Sequence, residues 1–139
     1  MFAQSSLIKP LESSMQEHYW VVGAMFGGRE DMLEEFVRRG YWYCWDPKLN
    51  REIPENVAEL FPKIKAGDRL VVKKMLGQGS SSIQVLALGI VTDTDLEEWR
   101  VYVKWLLTDL SREVPIKNFM GSLHGPVEAS SWRDSAFCI

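Results

Sequence analysis

The sequence predicts an α+β chain built as a small β-barrel with short flanking helices. Two β-rich runs, Leu70-Val71-Val72 and Ile83 to Val91, are joined by the Gly/Ser segment Gly77 to Ser82, which reads as a central β-hairpin spanning Gly67 to Asp93. The second run is apolar on both alternating faces apart from Gln84, the pattern of a strand covered on both sides within a sheet or barrel wall. The element order, β-α-β-α followed by clustered strands, suits a small α+β barrel.

The elements follow in order. Residues 1–18 are polar and broken by Lys9-Pro10, and read as a loosely held arm with a helical turn around Leu11 to Gln16; residues 19–139 form one domain. Tyr19 to Ala24 is aromatic and β-branched, a first strand. Met25-Phe26-Gly27-Gly28 is a loop whose glycines permit a tight turn or a close approach to a ligand. Arg29 to Arg39 predicts a helix: Met32, Leu33, Phe36 and Val37 share a face, acids Glu30 and Asp31 open it, Arg38 and Arg39 close it, and Gly40 caps it. Tyr41-Trp42-Tyr43-Cys44-Trp45 predicts an aromatic strand stopped by Asp46-Pro47. Pro54 to Phe61 predicts a short helix burying Val57, Leu60 and Phe61, ended by Pro62. Arg100 to Leu106 alternates, with Arg100, Tyr102 and Lys104 outward and Val101, Val103 and Trp105 inward. Val114-Pro115-Ile116 is an edge strand, because proline cannot donate to a second neighbour. Phe119 to Pro126 is a glycine-interrupted loop, and Trp132 to Ile139 an apolar tail.

Composition bounds the function. No window approaches the ~18 apolar residues of a membrane helix, and the N-terminus lacks a secretory pattern. Cys44 and Cys138 form no C-x-x-C, which argues against a disulfide framework or zinc knuckle; a cytoplasmic location with reduced thiols is expected, with no cofactor. Net charge is −3 and the pI is about 5.4. Nucleic acid gripped mainly through phosphates usually calls for a basic protein, so any such binding must be local and pocket-based.

Catalytic patterns are thin. His18 and His124 lie far apart without metal-ligand spacing, and no nucleophile-elbow motif supports a triad. Gly77-Gln78-Gly79-Ser80-Ser81-Ser82 lacks the Gly-Lys-Ser/Thr ending of a phosphate loop and reads as a hairpin connection. The aromatic run is more informative. Each tryptophan alone reads as core, yet an aromatic strand beside Phe26-Gly27-Gly28 also fits a base-stacking pocket. Lys73-Lys74 ends a strand with one side chain toward each face, and Asp95, Glu97 and Glu98 read as a solvated turn.

Tyr19 to Ala24, Phe26-Gly27-Gly28, Glu35 to Trp42, Ile64 to Lys74 and Ala87 to Val91 together resemble the EVE-like branch of the PUA-like superfamily, relatives of YTH and ASCH domains. The resemblance spans Tyr19 to about Pro126 and rests on the order of its motifs. It implies a PUA-like barrel with a pocket for a nucleobase, often a modified one. Phe26, Gly27, Gly28, Trp42, Trp105 and Trp20 would border the base, and Lys73, Lys74, Arg29 and Arg39 would meet phosphate. The leading expectation is a non-enzymatic reader of DNA or RNA carrying a modified base, with a separate nuclease or motor protein as effector and no membrane partner. The alternatives are an ASCH-like hydrolase of modified nucleosides, pairing Lys73 or Lys74 with Glu97 or Glu98, and a protein-interaction module using the aromatic strand.

Overall fold

Among the described residues, nine strands and three α-helices follow the β-branched and amphipathic runs of the sequence. The computed structural model describes residues 16–27, 29–48, 51–77 and 79–139. Residues 1–15 of the expected arm lie outside them, as do Gly28 and Gln78. The described elements are β1 (Tyr19–Gly23), β2 (Met25–Phe26), β3 (Glu30–Asp31), α1 (Leu33–Arg39), β4 (Tyr41–Trp42) and α2 (Glu55–Leu60) running into a 3₁₀ turn, Phe61–Lys63. Then come β5 (Arg69–Met75), β6 (Ser82–Asp95), β7 (Arg100–Leu107), β8 (Arg112–Pro115), β9 (Leu123–His124) and α3 (Ser131–Ala136).

The main sheet runs β4-β7-β6-β5-β1-β9, with β8 also on β6. β1 and β5 are parallel, Tyr19 opposite Arg69 through Gly23 opposite Lys73, and every other pair is antiparallel. β6 is long enough to take two partners on one side: β8 along Ser82–Val85 and β7 along Leu88–Asp95. The outer strands β4 and β9 do not pair with each other, so the sheet is a curled half-barrel. The gap is filled by α2, which packs beside β9, and by Phe61, which stacks on Trp42 at 6.3 Å between ring centroids.

Both faces of the sheet are covered. Trp20, Val22, Leu70 and Val72 enter the core shared with Phe36, Trp42 and Phe61. Val21, Val71, Ile83 and Val85 enter a second core with Trp132, Ala136 and Phe137. Val72 pairs with Ala87 and Lys73 with Val85, so Leu86 is an extra residue in the ladder. That bulge exchanges the faces: Ala87 joins the first core while Val85 and Ile83 join the second. The two-sided apolar character of β6 follows directly.

Several boundaries differ from the sequence expectation. Helix α1 begins at Leu33, because Glu30–Asp31 pair with Met25–Phe26 across Gly27, whose φ of 60° suits a tight turn. Its first-turn acids are Glu34 and Glu35, while Arg38, Arg39 and the left-handed Gly40 close it as expected. Of the aromatic run only Tyr41 and Trp42 join the ladder, since the chain leaves β7 after two residues. Pro62 lies inside the 3₁₀ turn rather than ending the helix. The terminal tail is helical at Ser131–Ala136, with Ser130 Oγ accepting the Arg133 N–H at 3.1 Å.

Candidate functional site

Parallel pairing brings the C-terminal ends of β1 and β5 side by side. Beyond them the chain turns away at Ala24 and at Leu76, and the segment before β9 closes a third side. The result is an open cavity of about 500 Å³ lined by Gly23, Ala24, Met25, Lys73, Lys74, Met75, Gly77, Met120, Gly121 and Ser122. That volume lies within the ~300–1,000 Å³ of small-molecule sites. Met25 and Met120 are exposed at its mouth, and with Met75 they supply a polarizable, adaptable wall.

Lys73 is the unusual side chain here. It is only 6% exposed, and Gly23 opposite it has no side chain: a Cβ there would lie 3.8 Å from the Lys73 Nζ. No carboxylate among the described residues forms an ion pair with it. Burial pushes its pKa below the usual lysine value. Lys74 is exposed at the rim.

His124 supports the third wall. Its Nε2 accepts the Gly121 N–H at 2.7 Å, and its ring lies 5.1 Å from that of Phe119. Burial, and then the charge of Lys73, hold its pKa below the usual histidine value. The Ser122 carbonyl accepts the Gly23 N–H at 3.0 Å, tying this wall to the end of β1.

Of the expected site residues, Lys73 and Lys74 meet at this pocket and the others do not line it. Trp42 has no exposed surface; its indole N–H donates to the Gly23 carbonyl at 2.9 Å, so it braces the pocket from behind. Trp20 is equally buried and donates to Asp68 Oδ2 at 2.8 Å. Neither indole offers a face to a base, which corrects the expectation that they border one. Trp105 is half-buried and donates to the Phe36 carbonyl at 3.0 Å, holding α1 on the sheet. Phe26 turns toward Phe36 and Tyr43, at 6.2 and 5.3 Å between centroids, because β2 and β3 carry it over the helix. Gly27 forms the β2–β3 turn, Gly28 lies outside the described residues, and Arg29 and Arg39 are exposed elsewhere. The wall of this pocket is therefore methionine and lysine rather than aromatic.

The aromatic run is absorbed structurally. The Arg100 guanidinium lies 3.6 Å from the Tyr43 ring centroid and 3.0 Å from Asp46 Oδ2. Cys44 is held inert by burial, its thiol pushed up to about 12. The lysine–glutamate pairing is not assembled: Lys73 pairs with Val85, whereas Glu97 and Glu98 lie beyond Asp95, roughly 30 Å further along β6. Among the described residues no cluster of potential metal ligands occurs, and no helix is long and apolar enough to cross a membrane.

Sequence reasoning missed Gly23, the three methionines and the 120–122 wall. They come from separate segments, and only the parallel β1–β5 pairing, which no local pattern announces, brings them together. No protein-family model matches the sequence, and no curated protein matches it either. The reading of function rests on the chemistry of this pocket.

Proposed function

We propose that this chain is a non-enzymatic reader that holds a modified or extruded nucleobase of DNA or RNA in the pocket at the ends of β1 and β5. The observation that carries this reading is Lys73, a side chain only 6% exposed that lines a cavity and whose ammonium has no anionic partner among the described residues. Partial desolvation of an unpaired charge is costly, and a ligand acceptor at Nζ would offset that cost. The methionine wall supplies sulfur and methylene contacts to a flat ring. Lys74 at the rim suits the phosphate that accompanies an extruded base. The half-barrel is in keeping with a PUA-like, EVE-like fold, and a separate nuclease or motor protein in the cytoplasm would act on the captured base. With a net charge of −3, affinity comes from the pocket rather than from a basic surface.

The test is calorimetric titration with modified and unmodified nucleosides and short single-stranded oligonucleotides, on wild type and Lys73→Met. The reading expects saturable binding, with no turnover, that weakens at least about tenfold in the variant. Absence of binding across the panel, or undiminished binding by a folded Lys73→Met, would overturn it. Hydrolysis of a nucleoside would instead support the enzymatic alternative.

A further inference from the structure

The lysines of this chain occupy two kinds of environment. Of the seven among the described residues, six are exposed and Lys73 alone is buried. Its Nζ lies where β1 and β5 end, against backbone that carries no side chain. A Cβ on Gly23 would sit 3.8 Å from Lys73 Nζ and 3.8 Å from the Gly121 carbonyl oxygen. That carbonyl supplies a dipole but no countercharge, and no aspartate or glutamate lines the cavity. Burial therefore favours the neutral amine, and it lowers the Lys73 pKa below the lysine range. A neutral amine has a free lone pair, and a lysine desolvated in a pocket is the usual setting for attack on a carbonyl carbon. The open cavity of about 500 Å³ has room to bring a ring-sized ligand to that nitrogen.

Resting on the base-reader reading above, we propose that the modification recognised is an aldehyde, as on a 5-formylpyrimidine, and that Lys73 holds it as a reversible imine. The Nζ lone pair adds to the formyl carbon, and the C=O electron pair moves to oxygen. A proton passes from nitrogen to that oxygen, by way of the Ser122 hydroxyl in the pocket lining or of solvent, giving a carbinolamine. The C=N bond then forms as the C–O bond breaks, and the hydroxyl leaves with the second nitrogen proton as water. No oxidant or reductant is consumed. Hydrolysis returns the base unchanged, so capture involves no turnover. An amino, methyl or hydroxymethyl group on the same ring offers the amine no electrophile.

Reductive trapping reads the imine directly. The full chain is incubated with sodium cyanoborohydride and 5-formyl-2′-deoxyuridine, deoxyuridine or benzaldehyde, and adducts are located by intact mass and peptide mapping. The formyl nucleoside is expected to leave one adduct per chain, on Lys73, and to label it more fully than benzaldehyde at the same concentration. Deoxyuridine should leave none. Lys73→Arg, which keeps a positive charge but forms no imine, should lose the adduct. Circular dichroism and the urea midpoint establish that the variant is folded, and the mapping on wild type needs no variant. No adduct, adducts spread over the exposed lysines, or an adduct kept by folded Lys73→Arg overturns the imine and leaves base reading intact. Equal labelling of Lys73 by benzaldehyde and the formyl nucleoside overturns the base reading, and with it the assignment of the aldehyde to a base.

Discussion

Among the described residues the buried charged side chains are Asp68 and Lys73, at 3% and 6% exposure, and they sit at opposite ends of the same strand. Asp68, just before β5, is fully employed. Its carboxylate accepts from the Trp20 indole at 2.8 Å, the His18 N–H at 3.0 Å and the Lys65 N–H at 3.0 Å. Those bonds lock the start of β1 to the turn that launches β5. Lys73, near the strand's other end, has no ion-pair partner among the described residues and faces a cavity. The same backbone thus carries one buried charge solved internally and one left for something else to solve. Burial alone does not mark function; a largely buried charge that opens on a cavity is the better candidate.

Breaking the satisfied end should have the largest effect. Asp68→Ala strands three donors, the Trp20 indole among them, and is expected to cost about 4 kcal/mol in urea denaturation. A loss under about 1 kcal/mol would mean that water replaces the carboxylate. Trp42→Phe keeps an aromatic ring but loses part of the buried indole volume and its bond to the Gly23 carbonyl. Cavity and lost bond together should cost about 2–3 kcal/mol in urea denaturation.

The unsatisfied end should respond with the opposite sign. Lys73→Met replaces an uncompensated ammonium with an apolar chain of similar length and is expected to stabilise the fold by about 1 kcal/mol. The wild-type pH dependence agrees in sign. Because the Lys73 pKa is depressed in the fold, the unfolded state holds its proton more tightly. Stability should therefore rise with pH between that depressed value and the ordinary lysine range, and Lys73→Met should flatten that rise.

The smallest effect belongs to His124. Its depressed pKa means that its contribution is complete above about 6.5 and is lost as pH falls through the folded value. Protonation of Nε2 also ends the bond from the Gly121 N–H. Between pH 7.5 and 5, wild type should lose a few tenths of a kcal/mol more than His124→Gln, read as the difference between urea midpoints. Equal losses would show that the histidine does not report on the pocket wall.

Much of the frame was legible because it is written locally. Gly40 closes α1 in the left-handed conformation that glycine favours, and β6 shows its two-sided burial in an unbroken apolar run. Glu30 and Asp31 misled because acids suit a helix N-terminus equally well; the β2–β3 pairing claims them instead. Alternation along Tyr41 to Trp45 lost its meaning once the chain left the ladder after Trp42. The pocket was legible only at Lys73-Lys74. Its methionines are spaced without pattern, and the burial of Trp20 and Trp42 depends on tertiary partners at Asp68 and Gly23.

The most direct measurement is on Lys73→Met, recording the urea midpoint and the affinity for the best-binding nucleoside or oligonucleotide of the panel on the same preparation. The account predicts a midpoint above wild type together with at least about a tenfold loss of affinity for that ligand. A lowered midpoint with affinity unchanged would contradict it, and would make Lys73 a structural residue of the sheet end like Asp68.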